Sequence, residues 1–433
     1  MTSKDKDHAA ESWNGPGMRE FVALMAALMA ANALAIDAML PALPDIGHAL
    51  DVTEDNRRQF VISAFLLGFG GAQLLYGPLS DRIGRKAILI VSLGFYAAFA
   101  LLAGLASSFE LLLGARVLQG MAAAGTRVLV VSIVRDRFRG SGMARVMSLV
   151  SIVFMIVPML APSFGQAVLA VASWRFIFIG LTVYSLAVLF WALLRLPETL
   201  PPERRRPLSL AKIQEAVSTT LTTRVSIGNT VALTLVMGGL FAYINSIQQI
   251  VADVFHRPDL VGIVFAAIAA PMALSSYVNS RLVMRMGSRR LLLLALTSFT
   301  IAASLHFVAA AWIGETVWSF VVLQAATMAC FGLVGANAGA LAMEPLGHIA
   351  GTASSLQGLI TTVGGALIGL FIGQQFDGTI FPFLIGLVLC GAAALATALW
   401  ANRPSKPGGG AVPVGAGHEA DKADTVEPFS PVA

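Results

Sequence analysis

Three ionisable side chains stand inside the longest apolar runs of this chain. Asp37 lies in AANALAIDAMLPALP, and Arg116 and Arg127 lie in LLGARVLQGMAAAGTRVLVV. A carboxylate in a low-dielectric cavity can take up and release a proton near neutral pH. A guanidinium nearby can pair with the ionised form and let go of the neutral one, which makes a local switch. Counted at about 1.5 Å per residue from Phe21, Asp37 falls ~24 Å along a hydrocarbon core of about 30 Å. Arg116 reaches a comparable depth, so a pair with Asp37, direct or through water, is expected. Arg127 follows Arg116 by eleven residues, about three turns, and shares its face. The competing readings are a hydrated interfacial Asp37 and an Arg127 that stretches to the membrane surface. Charged groups inside a membrane are costly and mark function by default, which favours the proton reading for Asp37.

Other candidates are polar or conformational. Asn32, Tyr243, Asn245, Gln248 and Asn337, with Gln249 beside them, could line a substrate cavity or join helices by hydrogen bonds. Pro158 and Pro162 in VPMLAPSFGQ each remove a helix hydrogen bond and predict a kink, and Gly165 would permit close approach to a neighbour. His306 reads as structural. Cys330 and Cys390 sit in apolar runs without metal-ligand spacing and read as small buried hydrophobes. The chain has no phosphate-binding glycine loop, metal-ligand cluster or nucleophile elbow. No enzyme activity and no cofactor are expected.

The elements that must hold these residues are helices. Of the 433 residues 57% are hydrophobic and 12% charged, where a soluble domain carries about 25% charged residues. Mean hydropathy is +0.77. The runs are long and continuous, which excludes the short alternating strands of a barrel. Twelve helices are predicted, at 19–43, 57–79, 87–106, 108–134, 142–170, 174–196, 223–253, 258–285, 289–311, 314–343, 348–376 and 378–402. An even number places both termini on one side. Of the 29 Lys and Arg, all but six fall on that side: Arg57, Arg58, Arg175 and Arg257 lie opposite, and Arg116 and Arg127 lie within a helix. Basic residues stay cytoplasmic, so both termini are expected in the cytoplasm. The basic balance therefore reflects topology and not nucleic acid.

The predicted organisation is an N-terminal arm (1–18), a six-helix bundle (19–196), a solvated cytoplasmic linker (197–222), a second six-helix bundle (223–402) and a disordered tail (403–433). Shifted by 203 residues, GPLSDRIGRKAIL meets SRLVMRMGSRRLL, so that Leu79, Arg82, Gly84 and Lys86 meet Leu282, Arg285, Gly287 and Arg289. Two weakly similar halves suggest a transporter built by duplication, with its site between them.

GPLSDRIGRKAIL resembles the loop 2–3 signature of the major facilitator superfamily, and LLGARVLQGMAAAG its helix 4 signature, with Arg116, Gln119 and Gly120 in place. Together IDAMLPALPDI, VPMLAPSFGQ, ASWRFIF and VRDRF resemble the drug:proton antiporters of the Bcr/CflA branch. The resemblance covers residues 19 to 402 and implies an all-helical fold of two six-helix bundles related by pseudo-two-fold symmetry. It implies that Asp81 helps latch the halves on the cytoplasmic side. A positive charge or helix N-terminus must then face it, and Arg82 and Arg85 are candidates. Gly77 and Gly84 allow the tight turn. It associates Asp37 and Arg116 with proton coupling. This chain departs from the pattern at Met29, where some relatives carry a second acid, and at Ala161 and Gln166, where the helix 5 signature has glycines. Arg127 has no counterpart and would bend substrate choice away from cations.

The function expected is a secondary active exporter in a bacterial inner membrane, acting as a monomer in the lipid bilayer. Protons would enter through Asp37 and a small amphipathic molecule would leave, a neutral antibiotic such as a phenicol. The alternatives are export of an endogenous metabolite, a facilitator without proton coupling, and a non-transporting sensor on a carrier fold.

Overall fold

The computed structural model describes residues 15–138, 140–205 and 210–403. The first fourteen residues of the arm and the tail from 404 onward lie outside the described residues. The described residues up to Asn402 form one compact unit. Twelve helical segments are long and apolar enough to cross a membrane: α1 (Met18–Ala49), α2 (Asp55–Ile83), α3 (Arg85–Gly104), α4 (Phe109–Arg137), α5 (Arg145–Leu169), α6 (Arg175–Arg195), α7 (Arg224–Val254), α8 (Pro258–Met286), α9 (Ser288–Ile313), α10 (Val317–Gly347), α11 (Gly351–Gln374) and α12 (Phe381–Ala401). They form two bundles, α1–α6 and α7–α12. Leu75, Phe95, Phe190, Leu305 and Phe371 stay exposed as the lipid-facing surface. Below, the terminal face is the end where both chain termini emerge, and the far face is its opposite.

The first helix runs further than predicted. Its α-helix (Met18–Asp37) passes into a 3-10 turn (Leu40–Ala42) and then a second helix (Leu43–Ala49), with a proline at the start of each. Proline is tolerated there because the first turn of a helix leaves its N–H groups unpaired anyway. The span therefore ends at Ala49 and not near 43, and Asp37 is the twentieth of its 32 residues.

Small residues let the helices meet at their backbones. A Cβ on Gly68 of α2 would strike the Val117 carbonyl of α4, and one on Gly120 of α4 would strike the Phe65 carbonyl of α2. Gly165 places α5 against the Ala38 carbonyl of α1, the close approach expected of it. Pro158 and Pro162 sit inside a helix that runs unbroken from Gly140 to Leu169. The halves meet where Gly70 of α2 rests on Thr362 and Val363 of α11, and where Gly262 of α8 rests on Ser163 of α5.

The faint repeat has a structural counterpart. Gly84 ends α2 at φ 122° and Gly287 ends α8 at φ 76°. Both positions need the left-handed backbone that only glycine adopts freely. The linker is less solvated than expected. Residues 202–205 are exposed, but Leu210–Thr222 forms a helix that buries Ala216 and Thr220.

Candidate functional site

Asp37 closes the α-helical part of α1, 4% exposed, and its Oδ1 has no hydrogen-bond partner among the described residues. Tyr243 belongs to α7 of the other half. The Tyr243 ring stacks on Phe265 at 5.4 Å, and its buried hydroxyl is also without a described partner. The 3-10 turn that begins three residues after Asp37 packs against α7 of the second bundle.

Arg116 makes no direct pair with Asp37. Its guanidinium donates to the Val61 carbonyl of α2 (3.1 Å), to Gln119 Oε1 (2.7 Å) and to the Ala35 carbonyl of α1 (2.9 Å). Its flat face covers the Phe65 ring at 4.5 Å. Two of these acceptors are backbone oxygens that a helix ordinarily leaves facing its own turn, and the third is a side-chain amide. Arg116 therefore fastens α1 and α2 to α4 and fixes the backbone two residues before Asp37.

A turn and a half nearer the terminal face, Asn32 donates to Thr126 of α4 at 3.1 Å, and its Oδ1 is left without a described partner. The next residue, Arg127, is exposed, and its guanidinium lies 5.8 Å from the centre of the Phe69 ring of α2. Arg116 and Arg127 do share a face, but one is sealed and the other open.

The polar residues of the second half divide. Asn245 is fully buried, 3.5 Å from Ser63 of α2, with Nδ2 unpartnered; Gln248 is buried with Oε1 unpartnered. Asn245 adjoins the interface through Ser63. Asn337 instead donates to Asn279 Oδ1 (2.6 Å) and to the Leu333 carbonyl, the first an interhelical bond between α10 and α8. His306 is buried against Glu315 at 2.6 Å, a carboxylate that the sequence reading passed over because it lies in a loop.

Sequence reasoning also missed a clasp at the far face. Asn56 and Gln59 of α2 meet Gln249 of α7 and Gln374 of α11. Gln59 Nε2 donates to Gln249 Oε1 (2.5 Å) and the Gly373 carbonyl (3.0 Å). Gln249 donates to Asn56 Oδ1 (2.9 Å), Asn56 to the Phe376 carbonyl (2.9 Å), and Gln374 to the Asn56 carbonyl (2.7 Å). Beside them Gln166 of α5 donates to the Pro258 carbonyl of the second half at 3.1 Å. Directly after Gln249 the helix widens into a π turn, Ile250–Val254, a feature often found at functional positions.

At the terminal face the signature loop is bound within its own half. Arg85, 3% exposed, pairs with Asp81 (2.5 Å) and Asp136 (3.0 Å) and donates to Ser80 Oγ. Arg82, the other candidate partner of Asp81, is exposed. Gly77, expected in the turn, lies instead inside α2, where a Cβ would come 3.7 Å from Ser355 of α11; Gly84 alone makes the turn. Glu198 caps α3, accepting from the backbone N–H groups of Arg85 (2.9 Å) and Lys86 (3.1 Å). A carboxylate is favoured there by the helix dipole. Asp136 belongs to the VRDRF stretch, so a sequence signal for it existed; Glu198 carried none.

Comparison with known proteins agrees with this architecture. The family model described as Major Facilitator Superfamily matches residues 25–367 and 230–431. An uncharacterized MFS-type transporter YdgK of Bacillus subtilis is 30% identical over 81% of this chain and 87% of its own length. A bicyclomycin resistance protein homolog of Haemophilus influenzae is 28% identical over 82% and 89%, and multidrug resistance protein D of Escherichia coli 26% identical over 85% and 93%. Among solved structures, a D-xylose-proton symporter superposes with a TM-score of 0.67 at 13% identity, covering 88% of this chain and 97% of that one. The human organic anion transporter MFSD10 gives 0.62 at 18% identity, covering 89% and 99%. A twelve-helix body, a glycine-bounded signature loop and a family match along most of its length make this chain a multi-pass membrane transporter of the Major Facilitator Superfamily.

Proposed function

We propose that the protein is a proton-coupled exporter of small amphipathic molecules, antibiotics among them, that works by alternating access in a bacterial inner membrane with both termini in the cytoplasm. The observation that carries this is Asp37: a buried carboxyl with an oxygen unpartnered among the described residues, just before the turn that packs against the second half. A proton bound there changes the charge beside that turn, where the halves must part and rejoin. Arg116 acts as a positioning residue, because its bond to the Ala35 carbonyl holds the helix that carries Asp37. The amide clasp is the far gate. The loop 2–3 network is the terminal gate, and with Arg85 holding Asp81 inside its own half the latch across the halves is released, as a carrier closed at its far face requires. Asn32, Tyr243, Asn245 and Gln248 line the substrate path. The relatives named for bicyclomycin and multidrug resistance support a drug as cargo.

The test is proton movement in proteoliposomes loaded with a pH dye, with wild type and Asp37→Asn compared across bicyclomycin, a phenicol and other antibiotics. Drug-triggered proton flux in wild type and its loss in the variant is the expected result. Labelled drug crossing with no proton movement would make the protein a uniporter and Asp37 structural.

A further inference from the structure

Arg127 has no part in the proton chemistry above, and its placement gives it a different task. The residues of α4 that face lipid form a stripe of exposed positions: Leu111, Gly114, Leu118 and Met121. At 3.6 residues per turn, Arg127 stands about 160° around the helix from the centre of that stripe. An arginine stretching toward lipid headgroups would sit on the stripe. Arg127 instead begins a second exposed line that runs one and two turns on through Val131 and Arg135. This line faces the other half, for a Cβ on Gly351 of α11 would lie 3.9 Å from Arg135 Nη1. Exposed residues on a face turned toward the opposite bundle line a cleft.

The carboxylates on the helices around Arg127 are otherwise engaged or distant. Arg195 holds Glu20, and Arg85 holds both Asp81 and Asp136. Asp45, Asp55 and Glu110 lie at the far ends of their helices, and Asp37 is buried toward that end with no ion pair to Arg127 among the described residues. On the side of the first bundle the cleft therefore carries a positive charge beside an aromatic ring, Phe69. A planar guanidinium next to an aromatic face matches a planar anion on an aromatic body.

We infer that Arg127 is the anion-binding residue of the substrate cleft and that the cargo includes aromatic or amphipathic monoanions, carboxylates foremost. This rests on the reading that the cleft carries substrate, and it does not need Asp37 to carry a proton.

The experiment measures binding to the whole protein in nanodiscs, without any gradient. The probes are four aromatic carboxylates, 1-naphthoate among them, each paired with its neutral primary amide. The expected result is that acids bind about tenfold tighter than their amides, that Arg127→Gln removes this preference, and that Arg127→Lys keeps most of it. The acid-to-amide ratio is the readout, so general damage to the fold, which lowers both affinities, does not mimic the effect. The inference is overturned if no acid binds wild type, or if the ratio is the same in Arg127→Gln. Proton flux in Asp37→Asn tests the coupling separately, since the binding ratio is read with no proton gradient present.

Discussion

The clasp at the far face is made of amides, and its strength can be worked out bond by bond. Gln59 is 1% exposed; it donates to Gln249 Oε1 and to the Gly373 carbonyl, and it accepts from Gln374 Nε2 at 3.3 Å. Gln59→Leu keeps most of the volume and removes all three bonds. Each is worth about 0.5–1.5 kcal/mol net. The acceptors left behind are unsatisfied only while the face is closed, since opening wets them. The variant should therefore shift the closed-to-open equilibrium by about 2 kcal/mol, or roughly 30-fold. Spin labels on Val171 and Ile313, both exposed at the far face on opposite halves, would report it by pulsed distance measurement. Cys330 and Cys390 are free and buried, so they must first be replaced. The expected outcome is a new longer-distance population in Gln59→Leu, repeated in Gln374→Leu, with the double variant less than additive because the bonds are shared. No side chain of this clasp titrates, so in an Asp37→Asn background the distribution should not change between pH 5 and pH 8. An unchanged distance distribution in both single variants would show that the closure is held elsewhere.

Four further outcomes are expected. Gly120→Ala drives a methyl into the Phe65 carbonyl, a contact that neither helix backbone can relax without losing packing, and should cost about 1–3 kcal/mol, read as a lower melting temperature in detergent. Glu315→Gln, which takes the carboxyl partner from the buried His306 ring, should destabilise by about 1–3 kcal/mol, and a double replacement by apolar residues should recover much of that. Asp136→Asn should weaken the hold on Arg85 and free it to serve Asp81 alone, seen as changed protection of the loop 2–3 backbone in hydrogen exchange. If cargo leaves as a monoanion while a proton comes in, two charges move per cycle. A potential of 100 mV then contributes about 4.6 kcal/mol, against about 2.3 for a neutral cargo. Currents on a solid-supported membrane would read the difference directly.

What could be read without a structure was local. Apolar run lengths gave the twelve spans, and Gly84 gave the turn that its backbone angle bears out. The rarity of an acid in hydrocarbon singled out Asp37. Even there, ending the first helix at 43 cut it short, because a proline that breaks a helix and one that restarts it look alike in sequence. The clasp joins residues as far apart as Asn56 and Phe376, and nothing in either segment marks an amide as paired. Glu198 reads as a linker acid until α3 is placed behind it.

The sequence by itself determined that this is a twelve-span carrier with a costly acid in its first helix and a signature loop between its second and third. These follow from hydropathy, turn chemistry and charge placement, each a property of a short window. Only the tertiary structure decided what the charges do. Arg116 and Arg127 share one helix face eleven residues apart, yet Arg116 is spent on carbonyls of α1 and α2 while Arg127 stands open opposite the second half. The difference is made by where the neighbouring helices cross α4. That crossing is set by backbone contacts at Gly68 and Gly120, between segments some fifty residues apart.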